Sequence, residues 1–319
     1  MRALPHMLLG LVALVSTWVQ AQAPYPSRPV HLIIPYAPGG STDVLGRFMS
    51  ASLEERWKQP LIVENKPGAS ATIGNQYAAK APADGYTLLL STSSLATGPI
   101  FIKNVPYDPF KDFSSISLLS ENGYFVLVSS ALPVKNFAEF IAYAKANPGK
   151  LNYGAGGSET VLTTEDFKAR FDLDLTQVMY KGGGPASIAF GSGEVQMIFG
   201  GSQDSQRWDA AGKSRTLLYT GRTRHPQLSA VPVGGDLGYP DYDSTYFLSF
   251  HGPAGLAMPV IRKVNDDLRE FLKESATVER FKTLGWAASP SSPEELTAAM
   301  RNAYVRAKTI AAKVGMKPE

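Results

Sequence analysis

Short β-rich runs alternate with amphipathic helical patterns along almost the whole chain, and no other feature narrows the choice of fold so far. Strands and helices in strict alternation pack most simply as helices against a mostly parallel sheet, which defines the α/β class. Residues 30–34 read as a buried strand, 44–57 as a helix, and 61–64 and 87–90 as further strands. A second series opens with a strand at 125–128 and a helix at 137–146, whose Phe137, Phe140, Ile141 and Ala144 share one face. Asn147-Pro148-Gly149 stops that helix, and 176–179, 196–199 and 216–219 supply more strands. The C-terminal segment is mainly helical. Pro259 suits a first turn there, and Ser292-Pro293-Glu294-Glu295 forms a capping box with proline at the first helical position. These helices are expected to wrap back onto the first series. Two lobes follow, residues 24–123 with 247–319 and residues 124–246, joined by chain crossings near 121–126 and 243–248.

At 319 residues and 44% hydrophobic content, the chain can bury a core in each lobe. Its 31 basic and 28 acidic residues leave a charge of +3 without a long basic run, so a nucleic-acid binder's electrostatic footprint is missing. The N-terminus reads as an export signal: Arg2, an apolar stretch over residues 7–19, then Ala21-Gln22-Ala23 as a small-residue cleavage site. That stretch is short for a bilayer span, so residues 1–23 are expected to be removed, and no later run is long enough to cross a membrane. The absence of cysteine excludes disulfides, thiolate metal sites and lipid attachment through sulfur.

Glycine-rich loops at strand ends are where binding chemistry can sit. In Pro35-Tyr36-Ala37-Pro38-Gly39-Gly40-Ser41-Thr42-Asp43, the two glycines let a backbone approach an anion, Ser41 and Thr42 add hydroxyls, and the next helix presents unpaired N–H groups. The same residues also describe an ordinary tight turn with Ser41 or Thr42 as helix cap. Asp43 is assigned to the turn, since its charge would repel a carboxylate. Ser91-Thr92-Ser93-Ser94, Gly156-Gly157-Ser158-Glu159-Thr160 and Lys181-Gly182-Gly183-Gly184-Pro185 have similar character, with a helix starting near Val161 after the second and Lys181 as the obvious cation. Each is weak alone. Together they suggest amide-lined strand ends gripping a compact anion from two lobes.

Motifs for other chemistries fail. Gly212-Lys213-Ser214 imitates the end of a Walker loop, but Arg207 stands where its first glycine must be. No nucleophile elbow, dinucleotide fingerprint or zincin motif is present, and His6, His31, His225 and His251 are scattered without ligand spacing. Glu54-Glu55, Asp266-Asp267 and Glu294-Glu295 are sequence neighbours on helices and point in different directions rather than flanking a bond.

Taken in order, Tyr25-Pro26-Ser27-Arg28-Pro29, the 36–43 loop, Val63-Glu64-Asn65-Lys66-Pro67-Gly68-Ala69, Ala81-Pro82-Ala83-Asp84-Gly85-Tyr86, Pro106-Tyr107-Asp108-Pro109, Asn147-Pro148-Gly149-Lys150-Leu151 and Tyr180-Lys181-Gly182 resemble the Bug-type extracytoplasmic receptors of tripartite tricarboxylate transporters. The resemblance implies a two-lobed, type II-like Venus-flytrap binding protein, located in the periplasm as a monomer. It implies delivery of a small organic acid to membrane transporter subunits, with no cofactor, no metal and no catalysis. Tyr36, Ala37, Gly39, Gly40, Ser41 and Thr42 would then hold the carboxylate. Ser91, Thr92 and Ser93 would add hydroxyls, and Gly156, Gly157, Ser158, Thr160, Lys181, Gly182 and Phe199 would hold the distal group. A sensor subunit shares this fold, and a hydrolase or isomerase in the same cleft is the rival from another class.

The chain departs from the family twice. A shortened loop leads to Val161-Leu162 in place of a His-Leu pair, and Gly200-Gly201 stands where many relatives have Asp-Asn. Both departures remove polar groups from the distal half of the pocket, making room for an aromatic acid among Tyr36, Phe199, Tyr246 and Phe247.

Overall fold

The computed structural model describes residues 25–284, 286–316 and 318; the expected leader, residues 1–23, lies outside them. The chain runs through β1 (Val30–Ile34), α1 (Ser41–Trp57), β2 (Leu61–Asn65), α2 (Thr72–Ala79), β3 (Thr87–Thr92), α3 (Ser94–Phe101) and β4 (Phe113–Gly123). It continues through β5 (Phe125–Ser129), α4 (Phe137–Ala146), β6 (Asn152–Ala155), α5 (Ser158–Phe171), β7 (Thr176–Met179), α6 (Gly183–Ser192), β8 (Met197–Gly200), α7 (Ser202–Ala210) and β9 (Ser214–Tyr219). A return segment leads into β10 (Thr245–Pro253), then α8 (Met258–Lys273), α9 (Ser275–Leu284), β11 (Ala287–Ala288) and α10 (Pro293–Lys313).

Two sheets result, a six-stranded one ordered β11-β4-β10-β3-β1-β2 and a five-stranded one ordered β7-β6-β8-β5-β9. β1 is mostly buried, with His31 partly exposed in an otherwise apolar run, and lies parallel to β2 and β3. The expectation of mostly parallel sheets fails in both. β10 is antiparallel to β3 and β4, and β5 is antiparallel to β8 and β9. The reason is topological. β4 carries the chain out of the first sheet and β10 brings it back, so these neighbours run in opposite directions.

Tyr124 alone separates β4 from β5. Its amide donates to Thr220 Oγ1 at 2.7 Å, its carbonyl accepts from Thr220 N at 2.8 Å, and Thr220 Oγ1 donates to Ser244 O at 2.5 Å. Both passages of the chain between the sheets are thus tied at one threonine. The C-terminal helices return to the first sheet as expected: Asn265 of α8 donates to Ile116 O of β4 at 2.6 Å. At the start of α10, Ser292 Oγ accepts from Glu295 N at 3.1 Å while the Glu295 carboxylate accepts from Ser292 N at 2.7 Å, the reciprocal capping box read from the sequence.

Candidate binding site

The β1–α1 loop turns on Gly39, whose φ of +91° lies in the left-handed region that side chains disfavour. The Gly39 amide donates to the Asp43 carboxylate at 3.1 Å, which also accepts from Arg47 Nε and Asn65 Nδ2, each at 3.0 Å. Asn65 donates to Tyr36 O as well, at 3.0 Å, fixing the loop to the end of β2. Burial acts to raise the Asp43 pKa, but Arg47, the Gly39 amide and Asn65 outweigh it and hold the carboxylate below its ordinary range. Asp43 therefore shapes the turn and lies turned onto its own loop.

Between the two sheets lies a cavity of about 120 Å³. Tyr36, Gly39, Gly40, Thr42 and Thr92 line it from the first sheet, and Gly156, Gly157, Thr160 and Phe199 from the second. The other expected residues frame it. Ala37 donates its amide across the gap to Lys181 O at 3.3 Å, so Lys181 contributes backbone and is itself exposed. Gly182, at φ +138°, permits that contact, since a Cβ there would stand 3.4 Å from Ala37 N. Ser91 is buried and donates to Asn75 Oδ1 at 3.3 Å, Ser158 is buried with an unpaired hydroxyl, and Ser41 is the first residue of α1. Ser93 donates to a residue the sequence reading passed over, Glu159, at 3.2 Å.

Five helices, α1, α3, α5, α6 and α7, begin at this cavity, and a helix start presents N–H groups with no partner inside the helix. Three of these starts are answered by the chain's own oxygens. Thr160 Oγ1 accepts from Gly156 N at 3.0 Å and Gly157 N at 3.2 Å, so two amides expected to face a ligand are already engaged. At α7, the Asp204 carboxylate accepts from Gly201 N at 3.0 Å and from the Ser187 hydroxyl. At α3, Glu159 Oε1 accepts from Ser94 N at 2.6 Å and from the hydroxyls of Thr92 and Ser93. Of the remaining two, α1 is answered in part, the Asp43 carboxylate taking the Gly39 amide just before its N-cap, while α6 has no side-chain cap; the two starts meet at the cavity wall. A Cβ on Gly184 would stand 3.1 Å from Pro38 O and 3.3 Å from Gly40 N.

The expectation that the distal half has lost its polar groups is overturned. Glu159 and Asp204 both line the cavity, because the acids come early in α5 and α7, just after the altered loop and glycine pair. Burial pushes both pKa values up, against the pull of their hydrogen bonds. Asp204 carried a readable signal, standing three residues after the glycine that starts α7. Glu159 carried none, since its partner Ser94 is 65 residues away in sequence.

Tyr36, Phe199 and Tyr246 reach the cavity together with Tyr124, which stacks on Tyr246 with ring centres 4.5 Å apart and meets Phe199 edge-on at 6.1 Å. Phe247 does not. It follows Tyr246 in β10, so strand alternation turns it to the opposite face, where it packs in a separate cluster with Leu296 and Met300. The Tyr36 hydroxyl, its pKa raised by burial and by nearby Glu159, pairs with Thr92 Oγ1 at 2.7 Å and with Ser94 Oγ. Among the described residues, no group of three or more His, Cys, Asp or Glu could hold a metal ion, and no helix is long and apolar enough to cross a membrane.

Two mixed α/β sheets linked by strand crossings, with helix starts converging on the gap between them, define a solute-binding protein. The family model described as tripartite tricarboxylate transporter family receptor matches residues 45–316, and the chain belongs to that family. It is 32% identical over 275 residues to BugT of Bordetella pertussis, covering 85% of this chain and 84% of BugT. Its fold matches a structure of an R. palustris protein with adipate at a TM-score of 0.89 and 29% identity, covering 92% of this chain and all of that one. MatC from Rhodopseudomonas palustris with bound malate matches at 0.83 and 26% identity, covering 90% of this chain and 99% of MatC.

Proposed function

We propose that this chain is a periplasmic receptor that captures a small organic carboxylate between two lobes, residues 24–123 with 247–319 and residues 124–246, and delivers it to a tripartite tricarboxylate transporter. One observation carries the reading: the N-terminus of α6, which has no side-chain cap, meets that of α1 at the cavity wall. Their amides and dipole ends suit a single carboxylate bound from both sides. The adipate and malate in the two related structures support that ligand class.

In this reading the carboxylate sits against the loop from Tyr36 to Thr42 and the start of α6, under the edges of Tyr124, Phe199 and Tyr246. Thr92, Gly156, Gly157 and Thr160 complete the walls, while Ala37, Ser91, Ser93, Ser158, Lys181 and Gly182 hold the loops in position. Residues 1–23 direct export and are cleaved after Ala23. The receptor works as a monomer without cofactor and without catalysis, the cavity's carboxylates being engaged at the starts of α3 and α7.

Native mass spectrometry of protein purified without denaturation tests this directly. A retained organic acid released unchanged on unfolding is the expected result. Conversion of that acid on incubation would instead favour an enzyme.

A further inference from the structure

The α3 start is an anion cradle that is already filled. Ser94 N–H and the Thr92 and Ser93 hydroxyls, all from the first-sheet side, converge on Oε1 of Glu159, a side chain carried by α5 on the other side of the cleft. The chain places there the group that a second ligand carboxylate would bring. Asp204 does the same at α7. Among the described residues lining the cavity, the fixed charges are then two carboxylates and the exposed guanidinium of Arg207.

Resting on the receptor reading above, we infer that Glu159 is a specificity-determining residue that restricts the site to acids with one carboxylate. The carboxylate binds between α1 and α6, and the rest of the ligand, neutral or cationic, faces Glu159 and Asp204. Two physical effects exclude a diacid. Its second carboxylate finds the α3 donors taken, and it lies beside a like charge. Burial already raises the Glu159 pKa, so a second anion adds to an existing strain on its charged form. Glu159 and Ser93 also line a second cavity, of about 470 Å³.

The test is calorimetric titration of the purified full chain with length-matched pairs: butyrate and succinate, hexanoate and adipate, benzoate and terephthalate. Wild-type protein is expected to bind the better monoacid at least ~10-fold more tightly than its paired diacid. Glu159→Gln removes the charge and Glu159→Ala empties the cradle. Each should shift the monoacid-to-diacid affinity ratio toward the diacid by at least ~10-fold. A diacid preferred by wild type, or a ratio unmoved in both variants, overturns the assignment of Glu159 while leaving the receptor reading intact. Binding of no acid by any of the three proteins overturns both.

Discussion

Gly184 and Gly156 are crowded by different neighbours, and the difference predicts different defects. A Cβ on Gly184 meets backbone across the cleft, at Pro38 O, Gly39 C and Gly40 N, whereas a Cβ on Gly156 meets Gly182 C and Gly183 N, both at 2.5 Å, within its own half. Gly184→Ala should leave the melting temperature nearly unchanged and weaken carboxylate binding about 10-fold or more, by wedging the α1 and α6 starts apart. Gly156→Ala should lower stability by about 1–3 kcal/mol in urea unfolding, as overpacking of a fixed backbone does. At this scale the sequence exposed the backbone donors and hid Glu159. Gly39, Gly40 and Thr42 were legible because glycines and a hydroxyl at a helix start mark a backbone turn, although the Gly39 amide is in fact held by Asp43. Glu159 was not, because an acid in an anion site reads as repulsion until the fold shows it occupying the donors.

Among the elements, β4 and β10 were the hardest to read. β4 is rich in serine, and Ser117 and Ser120 are fully buried, so its composition resembles a loop. Its polar groups are paired inside: Ser117 Oγ donates to Leu118 O at 2.6 Å and Asn122 Nδ2 to Ser120 Oγ at 2.6 Å. The mainly apolar strands β1 and β5 and the Leu88-Leu89-Leu90 run of β3 were legible from hydrophobicity. β10 also carries His251, which is buried, bonded through Nε2 to Ser249 Oγ at 2.8 Å, and pushed down to about pH 3 by burial. Its folded form stays neutral while the unfolded chain takes up a proton below about 6.5, so stability is lost as pH falls through that value. Glu159 and Asp204 act with the opposite sign, since their raised folded values favour the fold as pH drops toward the carboxylate range. His251→Gln should therefore remove up to about 2 kcal/mol of the stability difference between pH 7 and pH 5, measured by urea unfolding. An unchanged difference would show that His251 titrates in the fold as it does in the unfolded chain.

For the molecule as a whole, contacts from both sides meet along the cleft. Ala37 N donates to Lys181 O, Ser94 N donates to Glu159, and the Ser202 hydroxyl of α7 donates to Leu284 O of α9. The hydrogen bonds joining Tyr124, Thr220 and Ser244 tie together the two passages of the chain between the sheets. The two-sheet division was readable because the strand-helix alternation starts afresh after residue 123. The relative direction of the strands was not, since it depends on how the chain crosses between sheets. All of this converges on one claim, that a carboxylate is held between the starts of α1 and α6. Calorimetric titration of organic acids into wild-type and Gly184→Ala protein measures it most directly. The account predicts one acid bound per chain by wild type and a loss of about 10-fold or more in the variant. Equal affinity in the two proteins, or no heat from any organic acid, would contradict it.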